Sequence, residues 1–183
     1  MSIIWQSRGV ARWVALLRGI NVGGNKKVSM AELRAMLGDI GFEDVATVLQ
    51  SGNAVFSAKS GKEAEIARKL ESELDARLGM NIRCLVRSAA EMRAIVDANP
   101  LAAEATNNSR YLVTFLSKKL PAGALDPGEF ERSTVIGREV YSWLPDGIND
   151  AKIAKVNWDK RFGVVASARN WNTVLKLTEM VQA

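Results

Sequence analysis

The sequence predicts an α+β fold built from two fused ferredoxin-like halves, each β-α-β-β-α-β, with the second half irregular. Three observations predict it. Between residues 12 and 88, short apolar runs and amphipathic helical stretches follow one another in that order. The same order returns in weaker form from residue 110 onward. No Gly/Ser tract separates the two stretches, so they read as one compact body. The expected plan is an N-terminal extension over 1–11, a first half over 12–88, and a connector helix with the second half over 89–183.

Taking the elements in order, Ile3, Ile4 and Trp5 are followed by Ser7, Arg8 and Gly9, which break any pattern. The first strand is Arg12 to Arg18. A loop with three glycines and three cations follows, Arg18-Gly19-Ile20-Asn21-Val22-Gly23-Gly24-Asn25-Lys26-Lys27. Ser29 and Glu32 then form an S-x-x-E capping box for a helix over 30–37. Val45–Gln50 and Ala54–Ser57 flank Ser51-Gly52-Asn53, a hairpin signal. Ile66, Leu70, Leu74 and Leu78 line one face of a helix over 62–78 that stops at Gly79. Ile82–Arg87 alternates as a fourth strand, and Cys84 shares the apolar face of Ile82 and Val86 as core packing.

In this topology strands one and two are parallel, with strand three between them. They therefore end at the same sheet edge, which makes the Arg18–Lys27 loop and the Gln50–Asn53 turn neighbours. Beyond strand four, Ser88 and Glu91 cap a connector helix ending at Asn99-Pro100. Arg110–Ser117 is a strand, and 120–128 is too rich in Pro and Gly for more than a short helix. Arg132–Ile136 and Glu139–Leu144 form a hairpin around Gly137-Arg138. A helix near 150–162 carries Ala151, Ala154, Trp158 and Phe162 on one face, Val164–Ala166 is a short strand, and a last helix begins near Asn170.

Composition bounds the function. At 183 residues with 48% hydrophobic and 25% charged residues, the chain has the makeup of a soluble globular protein. No apolar run approaches the length of a membrane span, the N-terminus lacks a signal-type apolar core, and the one cysteine leaves no internal disulfide. A cytoplasmic location is therefore expected. The absence of histidine excludes Ser-His-Asp and Cys-His nucleophiles and His-based metal sites. The net charge of +5 is segregated: residues 1–31 carry five cations and no acid, 32–150 are net acidic, and 151–183 are net basic. An anionic partner suits this distribution if the ends meet; a solvated surface with segregated signs is the other reading.

Several stretches can carry chemistry. The glycine loop is neither a P-loop, since Asn25 occupies the lysine position after Gly19-x-x-x-x-Gly24, nor a G-x-G-x-x-G fingerprint. It is either an anion nest with Arg18 and Lys26 or Lys27, or a strand-to-helix connection with sharp turns. Gln50 and Asn53 either read a base or sugar edge or serve a tight turn. Arg169 and Asn170 open the last helix, where they either hold a phosphate or carboxylate or act as cap and anchor. Lys152 and Lys155 extend a basic track or form a solvated face. Tyr141 and Trp143 share one sheet face, to be buried or to stack a base.

Four segments, Leu16–Gly24, Leu49–Asn53, Gly137–Tyr141 and Arg169–Thr173, resemble a bacterial family labelled domain of unknown function 1697. The resemblance implies an α+β fold of ferredoxin-like halves and no established activity, substrate or catalytic residue. The family usually has Pro where Ser29 sits and a hydroxyl residue where Ala151 sits.

The combined expectation is a protein that binds a phosphorylated small molecule or nucleic acid in a basic cleft, without cofactor or metal. The candidate residues are Arg18, Asn21, Gly23, Gly24, Lys26, Gln50, Asn53, Lys152, Arg169 and Asn170. The last two are expected to approach the glycine loop through the C-terminal helix. The alternatives are an enzyme acting on a nucleotide-like substrate without histidine or metal, and an interaction or oligomerisation module whose aromatics bury an interface.

Overall fold

A computed structural model describes residues 9–24, 26–59 and 61–183. The expected N-terminal extension lies mostly outside the described residues, and Ala11 already opens the first strand. The chain divides into two compact units, one formed by the described residues through Met92 with Glu179–Ala183, the other by Arg93–Thr178.

The first unit contains β1 (Ala11–Leu17), α1 (Met30–Asp39), β2 (Glu43–Val48), β3 (Asn53–Ala58), α2 (Glu63–Leu78) and β4 (Cys84–Ser88), after which α3 (Ala89–Ala98) begins. The sheet order is β2-β3-β1-β4 with every neighbouring pair antiparallel. Hence β1 and β2 are parallel on either side of β3, as the order of elements requires. Alternation along the strands sends Ala15, Leu17, Ala54, Phe56, Cys84 and Val86 to one face. There they meet Leu33, Met36 and Leu37 of α1 and Ile66, Leu70 and Leu74 of α2. Ser29 closes the expected capping box on α1, and Gly79 ends α2 at φ 60°.

The second unit contains β5 (Tyr111–Leu116), β6 (Ser133–Ile136), β7 (Glu139–Trp143), α4 (Trp158–Phe162), β8 (Ala166–Asn170) and most of α5 (Trp171–Gln182). Its sheet order is β6-β7-β5-β8, again antiparallel throughout. Leu112, Leu116, Val140 and Ala166 pack with Phe130, Ile153, Trp158 and Val164 in one core. The whole is α+β, with two four-stranded antiparallel sheets and five α-helices among the described residues.

The two sheets correspond residue by residue. Leu17 N donates to Gly52 O and Leu116 N to Arg138 O, each at 2.9 Å; Arg18 N donates to Arg83 O and Ser117 N to Val165 O, each at 2.9 Å. Leu16 faces Asn53 as Phe115 faces Glu139, and Val14 faces Arg87 as Val113 faces Arg169. Directly after the buried arginine of the fourth strand comes a helix cap in both units. Ser88 Oγ accepts from Glu91 N at 3.2 Å, and Asn170 Oδ1 accepts from Thr173 N at 3.0 Å.

The halves differ in their connections. Between β5 and β6 there is no helix, only turns, as the Pro and Gly content there predicts. The helix expected over 150–162 is broken into a 3-10 turn at Lys152–Lys155 and the short α4. Val156 is extended (φ −64°, ψ 125°), and the Asn157 side chain accepts from Lys160 N at 3.0 Å, which starts a new helix. Ile153 and Trp158 still reach the same core, so the apolar spacing survives the break. The last strand is longer than expected and includes Arg169 and Asn170.

Candidate functional site

The glycine loop leaves β1 under tight backbone control. Leu17 N and Arg18 N are held by Gly52 O and Arg83 O, so the chain enters the loop pinned between β3 and β4. Asn21 then adopts the left-handed conformation (φ 55°), which asparagine tolerates better than most residues. Its Oδ1 accepts from Val28 N at 2.9 Å, and its Nδ2 donates to Val28 O at 2.9 Å and to Gln50 O at 2.6 Å. Asn21 N also donates to Lys26 O at 3.1 Å. One side chain thus closes the loop on itself and clasps it to the β2–β3 turn. The Arg18–Lys27 loop and the Gln50–Asn53 turn lie side by side, as the parallel β1 and β2 require.

This geometry sorts the candidate residues. Asn21 spends both side-chain groups on backbone and builds the loop. Asn53 is buried, and its amide donates to Val48 O and Ser51 Oγ at 2.9 Å each, so it shapes the turn. Lys26 Nζ donates to Asn81 O at 2.9 Å. Gly23 and Gly24 are exposed at φ 63° and 81°. An open pocket of about 440 Å³ is lined by Asn21, Gly24, Lys27, Ser29, Glu32 and Gln50, with Val28 behind them. The lysine facing this pocket is therefore Lys27, while Lys26 ties the loop to the segment before β4. Arg18 is half-buried, and neither it nor Lys27 makes a side-chain hydrogen bond among the described residues. Glu32 is engaged by the capping box, accepting from Ser29 N at 3.3 Å.

Two residues at this edge were not marked by the sequence pattern. Val22 and Leu49 are 67% and 63% exposed, and they adjoin the two residues joined by the Asn21–Gln50 bond. Leu49 also takes a left-handed backbone (φ 58°), a strained choice for a bulky residue on a surface. In sequence each looks like one more apolar residue beside a strand; only the clasp shows that the residues next to them, Asn21 and Gln50, line the same pocket.

In the second unit, Arg169 lies on β8 and not at a helix start. It is buried, its Nη1 donates to Ser167 Oγ at 2.7 Å and Ala168 O at 2.9 Å, and burial pulls its pKa down to about 10. Asn170 caps α5, accepting from both Thr173 N and Thr173 Oγ1 at 3.0 Å. Tyr141 is fully buried: its hydroxyl donates to Ile95 O at 3.1 Å, and its ring lies 6.5 Å from those of Tyr111 and Trp171. Tyr141 therefore presents no face for a base, and Trp143 is buried as well. Lys152 lines a separate basic hollow with Lys155, Lys160 and Arg161. In the first unit Cys84 is buried, and desolvation, helped by the Glu71 charge, pushes its thiol pKa up, opposite to what a nucleophile needs.

Among the described residues no group of three or more His, Cys, Asp or Glu side chains is placed to hold a metal ion. No helix among them is long and apolar enough to cross a membrane.

No curated protein matches this chain. Among solved structures it is similar to a conserved bacterial protein, SP0830, from Streptococcus pneumoniae. The two share 25% identity with a TM-score of 0.70, over 94% of this chain and 99% of the other. The model of a family described as protein of unknown function (DUF1697) matches residues 10–141, which include the glycine loop, the β2–β3 turn and the Gly137–Tyr141 segment; the chain belongs to this family.

Proposed function

We propose that the protein binds a phosphorylated small molecule at the glycine loop of the first unit, on a scaffold of two ferredoxin-like halves. The observation that carries this reading is the division of labour in the loop. Asn21, Asn53 and Lys26 are consumed in building it, whereas Arg18, Lys27 and the exposed Gly23-Gly24 backbone are not needed for that task. Two uncommitted cations beside glycines that a ligand can approach closely form an anion-binding arrangement. The pocket of about 440 Å³ is of a size for a small ligand. The exposed Val22 and Leu49, each next in sequence to a lining residue, favour a ligand with an apolar or planar part, such as a nucleoside phosphate, over a bare phosphate.

Isothermal titration with a nucleoside monophosphate and with a single-stranded oligonucleotide tests this. The monophosphate is expected to bind, and Arg18→Ala or Lys27→Ala should each weaken it about tenfold, the loss of one charge-assisted hydrogen bond. Binding of the oligonucleotide alone, with a steep salt dependence, would replace this reading with nucleic-acid binding. Binding unaffected by either variant would remove the loop from the site.

A further inference from the structure

We infer that the second unit carries its own site for the phosphate chain of a small polyanion, in the hollow between the Lys152–Lys155 turn and α4. This inference stands independently of the glycine loop. The hollow, of about 440 Å³, is lined by Lys152, Lys155, Lys160 and Arg161, with Asn157, Val156 and Glu129 completing it. Four cations therefore face one carboxylate. That carboxylate is already used: Arg161 Nη1 and Nη2 donate to Glu129 Oε1 and Oε2 at 2.8 and 2.7 Å. This pairing, with Lys152 adding to it, holds the Glu129 carboxyl below its ordinary pKa, so it stays ionised and matched to Arg161. The guanidinium is further fixed over Phe130 and Phe162, 5.0 and 5.2 Å from the ring centroids.

Three lysines remain around the hollow without a paired carboxylate among the described residues. Their convergence is produced by the chain break. On one continuous helix, Lys155 and Lys160 would point about 140° apart. The extended Val156 and the Asn157 cap separate the two segments, and both lysines line the same space. Like charges near contact repel by about 1 kcal/mol per pair in water, so such a grouping favours a ligand that carries several negative charges. A hollow whose cations come from two neighbouring short segments fits a short phosphate chain, as in a nucleoside polyphosphate, in preference to a long strand that needs an extended track.

The probe is inorganic tripolyphosphate, titrated calorimetrically into the whole chain. Binding should weaken about tenfold in Lys155→Ala and in Lys160→Ala, stay within about threefold in Lys155→Arg, and be unchanged in Arg68→Ala, at an exposed position of α2 outside the hollow. All three positions are exposed, and thermal unfolding of each variant reports that the fold is intact. Failure of tripolyphosphate to bind, or binding insensitive to Lys155 and Lys160, would overturn the site. Preferential binding of single-stranded oligonucleotides through these lysines, tightening as the strand lengthens, would overturn the ligand class.

Discussion

At Gly52 the joint between the glycine loop and the β2–β3 turn has no room for a methyl group. An added Cβ would lie 2.6 Å from Ile20 Cδ1 and 2.8 Å from Leu17 Cβ, and φ is +77°. Gly23 is also left-handed, at +63°, but nothing lies within 4 Å of its Cβ position. Gly52→Ala should therefore cost about 3 kcal/mol through overpacking and backbone strain, and Gly23→Ala about 1 kcal/mol through the backbone alone. Urea unfolding midpoints of the two variants check this; equal losses would mean that the joint is not packed as described. Cys84 supplies a pH test. Its folded pKa is raised by burial, so its contribution is fully present below the unfolded value of about 8.5 and is lost as pH rises above it. Stability should fall between pH 8.5 and 10 with a slope approaching about 1.4 kcal/mol per pH unit from this group, and more gently in Cys84→Ala. At this scale the sequence was ambiguous where one residue type serves two ends: Asn21, Asn53 and Asn170 all looked fit for a ligand. Each instead satisfies neighbouring backbone groups, a choice that depends on partners 7, 5 and 3 residues away or, for Gln50, across the fold.

Among the elements, order and strand pairing were legible from periodicity, capping boxes and turn signals, because each is a local property of the chain. The placement of the glycine loop beside the β2–β3 turn followed from topology alone. What was not legible is the register that makes the two units correspond. The matched positions hold Leu16 and Phe115, Asn53 and Glu139, Ser88 and Asn170, and among the pairs named the residue type repeats only at Leu17 and Leu116 and at Arg87 and Arg169 with Val14 and Val113 opposite them. The helix expected over 150–162 failed for a related reason: apolar spacing cannot distinguish one helix from two short segments that bury the same residues. The cap equivalence can be tested directly. Asn170→Ala should cost about 1 kcal/mol by unfreeing the first turn of α5, and Asn170→Ser should recover most of it; Ser88→Ala should behave alike at α3. Chemical denaturation reads all three, and an unchanged midpoint for Asn170→Ala would return that residue to the list of ligand candidates.

Across the whole molecule, the segregation of charge visible in the sequence resolves into two distinct places. Arg18, Lys26 and Lys27 belong to the glycine loop, and Lys152, Lys155, Lys160 and Arg161 line the hollow beside α4, whereas Arg12 donates to Ser57 Oγ and Met180 O and Arg169 is buried on β8. The sequence could count these charges but not separate the ones that hold the fold from the ones that do not. Lys26 and Arg161 are tied to Asn81 O and Glu129, while Arg18, Lys27, Lys155 and Lys160 are not. The glycine loop is proposed as a ligand site and not merely a turn. Amide chemical shifts of the ¹⁵N-labelled protein, followed while a nucleoside monophosphate is added, test it most directly. Saturable shifts at Val22, Gly23 and Gly24, abolished in an Arg18→Ala/Lys27→Ala double variant that remains folded, are the predicted result. Shifts that leave these three amides untouched at saturation would contradict it.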